Sequence, residues 1–330
     1  MTMTWRARLD VDELVGRSQS LADVFERISA VCGFEGLATL ITGATGTGKT
    51  AVARAIHRNS HRGGHFAMVN CAALPDALVE SELFGAERGS HSTADARRVG
   101  KVEAATGGTL FLDEIADLSM TAQAKLLTVL QSRELYRLGG LEPIHVDFRL
   151  VCATNVDLHA RVAEGRFRLD LLHRIDGFPI RMPGLDERRE DVPLLAEHVL
   201  TNFARQCRRD VLRLAPSAAI ALITRTWPGH VRELENVVRR GAVVAWMAGA
   251  QTLDVPHLYC DKPVQAPVSL RSAVTGFKRA VLLEVLGRTG WSTSAAASAL
   301  GIARSHVYNL IRDYDIVLPS ARHADAGCAR

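Results

Sequence analysis

The residues at 43–50, GATGTGKT, have the types and spacing needed to hold a triphosphate. Glycines in this segment let backbone N–H groups curve around phosphate oxygens without Cβ clashes. Lys49 is expected to reach the β- and γ-phosphates, and the Thr50 hydroxyl to ligate magnesium. The sequence therefore predicts a P-loop for ATP and Mg²⁺, made of Gly43, Ala44, Thr45, Gly46, Thr47, Gly48, Lys49 and Thr50.

Two adjacent carboxylates follow an apolar run in GGTLFLDE, where Asp113 and Glu114 end a predicted buried strand. Beside a P-loop, one carboxylate can hold magnesium and its neighbour can polarise the attacking water. We predict Asp113 as the metal ligand and Glu114 as the general base. An Asp-Glu pair by itself commonly ends a strand at the surface, so the pairing with residues 43–50 carries this prediction.

The elements that must position these residues alternate between short apolar runs and amphipathic helical stretches. Strands are predicted in LATLITG, HFAMVNCAA, TLFLDEI and FRLVCATN. Such alternation predicts an α/β fold with a mostly parallel sheet, and the nucleotide then lies at the carboxyl ends of the strands. After Pro183 the pattern becomes helical, in VPLLAEHVLTNFARQC, PSAAIALITR and HVRELENVVRRGAVVAWMAG, which predicts a helical lid.

A chain of 330 residues exceeds the size of one hydrophobic core, so we expect two or three domains. We predict an N-terminal extension over 1–13, an α/β ATPase subdomain over 14–182, a lid over 183–258, a linker over 259–269, a helix-turn-helix over 270–316 and a disordered tail over 317–330.

Composition excludes several classes of protein. The chain is 47% hydrophobic and 23% charged, and no apolar run is long enough to span a bilayer, which predicts a cytoplasmic protein with no membrane partner. The cysteines stand singly without a C-x-x-C pair, so we expect reduced thiols rather than a zinc site or a disulfide framework. The net charge of +4 does not by itself establish nucleic-acid binding.

With the two phosphate-site motifs in place, several further segments resemble one family. These are ESELFGAERG (80–89), GRFRLDLLHRI (165–175), DERREDVPLLAEH and WPGHVRELEN (227–236). In content and order they resemble the central domain of sigma-54-dependent enhancer-binding transcription regulators, from about residue 14 to 247. The resemblance implies an AAA+ ATPase that oligomerises, as a hexameric ring, and uses hydrolysis to remodel RNA polymerase with sigma-54.

The resemblance also implies roles for single residues around the phosphates. Asn70 matches the residue that couples the catalytic glutamate, here Glu114, to the γ-phosphate. Thr154 and Asn155 match the first sensor, and Arg232 matches the second sensor on the lid. Outside the family context, an Asn or Thr that ends a strand is more often a turn residue.

Two further matches concern the edges of the site. Arg168 and Arg174 match the pair of arginine fingers that act in trans, because a guanidinium from the next subunit can stabilise charge in phosphoryl transfer. Residues Val15 to Ser18, in LVGRS, match the segment that borders the adenine, and Val15 and Gly16 are the predicted nucleotide contacts. An arginine in a helical stretch is otherwise more often a solvated charge.

The sequence departs from the family at the loop GAFTGA, whose apolar tip contacts sigma-54. Here the loop is written Gly89, Ser90, His91, Ser92, Thr93 and Ala94. A polar imidazole at His91 cannot bury apolar surface as phenylalanine does. Two interpretations follow: the loop engages sigma-54 through altered contacts, or the protein regulates transcription independently of sigma-54 and ATP controls its oligomeric state.

The segment from Phe277 onward, FKRAVLLEVLGRTGWSTSAAASALGIARSHVYNLIRDYDI, resembles the Fis-type helix-turn-helix that ends many of these regulators. Ser292 or Thr293 is expected to cap the first helix, with its buried face at Ala295, Ala296 and Leu300, and the chain turns at Gly301. The side chains expected to reach DNA are Arg304, Ser305, His306, Asn309 and Arg312. The second helix has few cations, which weakens phosphate contacts, and a purely structural helical hairpin is the alternative.

Upstream promoter or enhancer DNA is the first predicted partner, and a helix over 270–286 is expected to pair with its copy in a dimer. Because only residues 1–13 precede the ATPase motifs, we expect control by abundance or by a separate regulatory protein. A helicase or unfoldase of the AAA+ class is a third hypothesis, which ESELFG and the C-terminal segment disfavour.

Overall fold

The computed structural model of the chain describes residues 9–10, 13–73, 75–87, 97–259, 282, 285–286, 289 and 291–313. The chain divides into two compact units, Met1–Cys260 and Asp261–Arg330. Three predicted segments lie wholly or mostly outside the described residues: the linker over 259–269 except its first residue, most of the helix over 270–286, and the tail over 317–330.

A parallel sheet of five strands forms the centre of the first unit, in the order β2-β3-β6-β1-β7. The strands are β1 (Thr39–Thr42), β2 (Phe66–Asn70), β3 (Thr109–Asp113), β6 (Arg149–Thr154) and β7 (Phe178–Arg181). A short antiparallel pair, β4 (Glu134–Leu135) and β5 (Ile144–His145), and a parallel pair, β8 (Arg213–Leu214) and β9 (Thr252–Leu253), lie outside this sheet. The predicted α/β fold is confirmed.

Helices cover the sheet on both faces. Successive side chains of a strand point to opposite faces, so each face has apolar side chains to bury. Leu110 and Leu112 pack into one core, whereas Phe111 packs into the other. The helices of this part are α1 (Gln19–Cys32), α2 (Lys49–Asn59), α3 (Asp76–Phe84), α4 (Lys101–Ala104), α5 (Met120–Ser132), α6 (Leu158–Ala163) and α7 (Leu169–Ile175).

The sequence patterns did not predict β7. The strand is only FPIR, with Pro179 opposite Leu40 of β1, and the short run has no clear alternation. It lies at the end of the strand order, where a proline costs no hydrogen bond because the outer side has no partner strand in the sheet.

A helical lid follows the sheet, beginning with a 3₁₀ turn at Leu185–Asp191. Its helices are α8 (Val192–Cys207), α9 (Pro216–Thr224), α10 (His230–Met247) and α11 (Val255–Leu258). The three longer ones coincide with the helical patterns in the sequence. Trp227 is fully buried among them and donates its indole N–H to the carbonyl of Leu222 at 2.9 Å, so its polar atom is satisfied inside the core.

In the second unit, α12 (Thr293–Leu300) and α13 (Arg304–Asp313) form a helix pair. Ser292 caps α12 by accepting from the Ala295 N–H, and Gly301 ends it in the left-handed conformation at φ 65°. The predicted buried face is wrong at one position: Ala296 is buried and Leu300 packs against the same core, but Ala295 is exposed, and Ala297 is buried instead. Thr293 is buried as well, so the buried positions recur every three or four residues and the buried face is rotated by about one position from the predicted one.

The described residues contain neither a membrane-spanning helix nor a disulfide bond. None of their helices combines the length and the apolar character needed to cross a bilayer. Within the same residues, Cys32, Cys71, Cys152 and Cys207 are all free thiols, and burial raises the pKa of Cys71 to about 12.

Arg149, at the start of β6, is a buried cation that holds the end of α1. It is 1% exposed and donates to the carbonyls of Val31 at 3.2 Å and Phe34 at 2.9 Å. A cation at a helix C-terminus satisfies carbonyls that have no partner within the helix. Burial lowers the pKa of this guanidinium.

We therefore predict that Arg149→Ala lowers the free energy of unfolding by about 3 kcal/mol, because buried carbonyls lose a charged donor and a cavity opens. Urea denaturation followed by circular dichroism measures the change. The control is Arg166→Ala, whose side chain is 68% exposed and pairs with Glu164. Equal midpoints for the two variants would contradict the role of Arg149.

Candidate nucleotide site

The P-loop connects β1 to α2, and two of its glycines have conformations that disfavour other residues. Gly46 has φ 84° and Gly48 has φ 109°. A Cβ on Gly46 would lie 2.5 Å from the carbonyl oxygen of Gly229 in the lid. Gly48 is the N-cap of α2 and forms no side-chain cap, so no capping side chain occupies the N-terminal amides of this helix, which are the groups that bind anions.

A pocket opens above the P-loop and gathers most of the predicted phosphate residues. Its lining is Thr45, Gly46, Gly48, Lys49, Thr50, Asp113, Glu114, Val231, Arg232 and Glu235. Lys49 is 6% exposed, and its Nζ lies 2.9 Å from the Gly43 carbonyl and 3.4 Å from Oε1 of Glu114. The P-loop lysine and the predicted base are therefore in contact with each other.

The two carboxylates follow one another but differ in backbone and environment. Asp113 is the last residue of β3, while Glu114 has φ 52° and ψ 54°, the left-handed region, and precedes a 3₁₀ turn at Ile115–Asp117. Burial raises the pKa of Asp113, and the Glu114 charge raises it further, against the opposing effects of Lys49 and Arg232. This tight turn sends two successive acidic side chains into one pocket.

Asn155 joins the P-loop to the predicted base. Its side-chain Nδ2 donates to Oγ1 of Thr45 at 2.8 Å, and its backbone N–H donates to Oε2 of Glu114 at 3.0 Å. Thr154, its neighbour at the end of β6, is fully buried. These contacts orient Glu114 from the strand next to β3.

Asn70 ends β2 directly opposite Asp113 in the sheet register. Its Oδ1 accepts from the Ala72 N–H at 3.0 Å, which is an Asx-turn. The residue lies outside the pocket lining. The structure thus brings Asn70 beside the acidic pair while its side chain holds a turn.

The lid completes the pocket through the first turn of α10. The Gly46 carbonyl accepts from the Val231 N–H at 2.9 Å and from the Arg232 N–H at 3.3 Å. Sequence reasoning identified Arg232 but missed Glu235. The spacing could have predicted Glu235, because it lies three residues after Arg232 and positions three apart on a helix share a face.

The segment predicted to border the adenine packs against both the α/β part and the lid. Leu14 belongs to a core of the α/β part, whereas Val15 packs against the core of the lid. A Cβ on Gly16 would lie 2.5 Å from Oδ2 of Asp191. Neither Val15 nor Gly16 lines the phosphate pocket.

The two predicted arginine fingers lie away from this chain's own pocket lining. Arg168 precedes α7 and pairs with Asp170 at 2.8 Å. Arg174, exposed on α7, donates to the Leu130 carbonyl at 3.0 Å. Within a single chain the structure therefore does not bring either guanidinium to the phosphate site.

The residues present fit a magnesium-bound triphosphate. The P-loop offers backbone N–H groups and Lys49 to phosphate oxygens, and Thr50 and Asp113 offer the oxygen ligands that Mg²⁺ prefers. Among the described residues, no group of three or more His, Cys, Asp or Glu side chains could hold a metal ion by itself. A phosphate-bound Mg²⁺ with few protein ligands is consistent with that finding.

On α13, the predicted DNA-contacting side chains all lie exposed, while Val307 and Ile311 are buried: the exposed set is Arg304, Ser305, His306, Asn309 and Arg312. The exposed surface of α13 also includes Tyr308, which was not among the predicted DNA contacts. It is 47% exposed, and its hydroxyl lies 3.2 Å from Oγ1 of Thr293 and 3.3 Å from Nη2 of Arg304. The loop predicted to contact sigma-54, residues 89–94, lies outside the described residues.

Comparison with known proteins identifies the family. The family described as "Sigma-54 interaction domain" matches residues 14–181, and the family described as "AAA+ ATPase lid domain" matches residues 186–266. The chain belongs to the sigma-54 interaction domain family of AAA+ ATPases. The predicted ATPase class is confirmed.

Among curated relatives, the chain is 42% identical over 288 residues to "Regulatory protein AtoC" of Escherichia coli K12, which covers 84% of this chain and 62% of the relative. It is 42% identical over 293 residues to "Transcriptional regulatory protein ZraR" of the same strain, covering 88% and 66%. The chain thus spans less than two thirds of the length of these two relatives.

Solved structures give the same picture. The crystal structure of NtrX from Brucella abortus in complex with ATP is 34% identical, with a TM-score of 0.68 over 92% of this chain and 69% of that one. The Holliday junction branch migration motor RuvB of Thermotoga maritima, 15% identical at a TM-score of 0.52, shares the fold.

Glu235 places a negative charge against a pocket suited to phosphates. Its carboxylate pairs with Arg239 at 3.4 Å, but both side chains are partly exposed, so that pairing only partly offsets the charge. We predict that Glu235→Gln lowers the KM for ATP roughly threefold to tenfold, because a repulsion of about 1 kcal/mol is removed.

Steady-state ATPase assays at low and high salt measure this effect, which screening should reduce. The matched control is Glu197→Gln on α8, an exposed carboxylate that does not line the pocket. An unchanged KM for Glu235→Gln would contradict the proposed repulsion, and a raised KM would show that this carboxylate serves nucleotide binding.

Proposed function

We propose that the chain is a transcription regulator that binds MgATP in the pocket above the P-loop and hydrolyses it within a ring of subunits. The hydrolysis remodels RNA polymerase carrying sigma-54, at promoters that the C-terminal helix pair recognises. One observation carries the proposal: Lys49, Thr50, Asp113, Glu114 and Arg232 line one pocket. Membership of the sigma-54 interaction domain family supports the choice of polymerase.

In the proposed mechanism, the P-loop amides and Lys49 hold the β- and γ-phosphates, and Thr50 and Asp113 hold the metal. When bound, Mg²⁺ neutralises phosphate charge and orients the γ-phosphate. Glu114 accepts a proton from the water that attacks the γ-phosphorus, and ADP is the leaving group. The backbone N–H of Asn155, 3.0 Å from Oε2, keeps the carboxylate directed toward the pocket.

The roles of Asn70, Asn155 and Arg232 complete this proposal. Asn70 couples Glu114 to the γ-phosphate, which requires its Asx-turn to open. Asn155 senses the phosphates through Thr45, to which its amide is already bonded at 2.8 Å. Arg232 responds from the lid, and Val15 and Gly16 border the adenine.

Arg168 and Arg174 act on the neighbouring subunit's nucleotide in this proposal. The partial exposure of Arg168, with 39% of its side chain accessible, supports a role outside its own chain. Its pairing with Asp170 is a surface ion pair, which contributes little and is readily exchanged for a phosphate.

Mixing two variants tests the trans arrangement. Arg168→Ala keeps an intact pocket and lacks a finger, while Glu114→Gln keeps the finger and lacks the base, so each alone should be nearly inactive. An equal mixture should recover roughly a quarter of the parental ATPase rate if subunits mix randomly around a ring.

Arg166→Ala, two residues from Arg168 and exposed, is the matched control and should retain parental activity alone. A mixture that stays as inactive as its components, with both variants still assembling, would argue against fingers supplied in trans.

DNA recognition by α13 is the second half of the proposal. Its exposed face carries Arg304 and Arg312, which suit phosphate contacts, and the amide of Asn309, which suits a base edge. A dimer through residues 270–286 would present two such helices to adjacent half-sites.

A sigma-54-independent regulator is the second candidate function. The sequence GSHSTA at residues 89–94 favours it, because His91 replaces the apolar tip that contacts sigma-54 in the family. In this case ATP sets the oligomeric state, and hydrolysis is dispensable for transcription.

Transcription in vitro with each holoenzyme separates the two candidates. We predict that open-complex formation requires sigma-54 holoenzyme, is abolished in Glu114→Gln and is reduced in Ser92→Ala. DNA binding by both variants, measured by mobility shift, should equal that of the parent and serves as the control. Activation that needs another holoenzyme and survives Glu114→Gln would select the sigma-54-independent function.

A further inference from the structure

One short segment, Leu185–Asp191, has 3₁₀ geometry interrupted by a kink at Arg188 and contacts two separate parts of the nucleotide cleft. It joins the last strand of the sheet to the lid, and its members Arg188 and Asp191 are both buried. Neither residue lines the phosphate pocket itself. Their contacts nevertheless run to the P-loop and to the segment at 15–18 that we propose borders the adenine.

Arg188 is hydrogen-bonded to the P-loop. Its side chain is 3% exposed, and Nη2 donates to the carbonyl of Thr47 at 2.8 Å. The preceding P-loop carbonyl, that of Gly46, accepts from the Val231 N–H at 2.9 Å. Two successive carbonyls of the phosphate loop are therefore held from the lid side, one by a guanidinium and one by a helix N-terminus.

The burial of Arg188 is poorly explained by stability alone. Its Nε has no hydrogen-bond partner among the described residues, and burial lowers the pKa of the guanidinium. A buried cation with incomplete hydrogen bonding is weak evidence for stability, because desolvation offsets much of its attraction to neighbours. Its well-formed bond goes to the P-loop, which indicates that positioning that loop is what this residue contributes.

Asp191 holds the other end of the cleft. It is fully buried and accepts from the Arg17 N–H at 2.6 Å, from the Ser18 N–H at 2.9 Å and from the Ser18 hydroxyl at 2.6 Å. Three hydrogen bonds from neighbouring residues thus converge on one buried side chain, which fixes this segment in place. Gly16 allows the approach, because a Cβ there would lie 2.5 Å from Oδ2 of Asp191.

We propose that Arg188 and Asp191 are positioning residues that set the spacing between the phosphate end and the base end of the nucleotide cleft. Arg188 fixes the phosphate loop. Asp191, three residues further along the chain, fixes the base-flanking segment at 15–18. The ligand that needs both ends in register is a nucleoside triphosphate. The proposal rests on the nucleotide site proposed above and adds two residues to it.

Separating the two ends of the ligand tests this proposal. The dissociation constants of the full chain for MgATP and for magnesium tripolyphosphate are measured by calorimetry, on a Glu114→Gln background that prevents hydrolysis. Tripolyphosphate engages the phosphate loop and has no base. Asp191→Ala should weaken MgATP roughly tenfold and leave tripolyphosphate within about twofold of the parent, because the lost bonds hold only the base-flanking segment.

Arg188→Gln should weaken both ligands by a similar factor, roughly fivefold to tenfold, because both use the phosphate loop. Gly16→Ala displaces the Asp191 carboxylate without removing it and should reproduce the ATP-selective loss. Asp191→Asn keeps an acceptor for both backbone N–H groups and should restore most of the affinity. Arg189→Ala, on the same turn with its side chain in a surface pair with Asp186, is the control and should match the parent.

Equal losses for both ligands in Asp191→Ala and Gly16→Ala, or unchanged binding in Arg188→Gln, would overturn the proposal. If Asp191→Ala does not fold, Gly16→Ala and Asp191→Asn decide the same question. Failure of the nucleotide site itself would give a different result. Lys49→Ala, with residues 185–191 unchanged, would then bind MgATP as well as the parent does.

Discussion

The alignment of parallel strands is the constraint on which the site depends. Because β1, β3 and β6 are neighbours in one parallel sheet, their carboxyl ends meet at one edge. That edge receives the P-loop after β1, the acidic pair after β3 and Asn155 after β6. Residues far apart in sequence thereby come within hydrogen-bond distance, as Asn155 and Thr45 do at 2.8 Å. Slippage by a single residue in either pairing would turn these side chains to the opposite face.

The second constraint is the close approach of the lid to the P-loop. Gly46 has to lack a Cβ because the Gly229 carbonyl occupies that space, and its own carbonyl then reaches the first amides of α10. The phosphate loop is therefore bonded to the lid as well as to the sheet. A rotation of α10 would therefore move Arg232 and Glu235 relative to the sheet and pull on the P-loop through the Gly46 carbonyl.

Sequence patterns predicted the strands that carry the site because each is an apolar run followed at once by a motif, as in β3 and Asp113. They missed β7, whose four residues include a proline, and they misassigned one buried position on α12, since a one-residue rotation leaves an alanine-rich pattern unchanged. Asp191 and Arg188 were also missed as site residues. Their role depends on contacts with residues 17, 18 and 47, and no local pattern encodes such separations.

The charges around the pocket favour the proposal that a second subunit contributes to the site. Lys49 and Arg232 are the cations in the described lining, against the three carboxylates of Asp113, Glu114 and Glu235. Adding Mg²⁺ leaves this lining with one net positive charge, while MgATP carries four negative charges on its phosphates before the metal is counted. Helix and P-loop amides contribute partial charges of about half a unit. In the proposed ring, exposed guanidinium groups of a neighbouring subunit would supply further positive charge as negative charge moves onto the ADP leaving group.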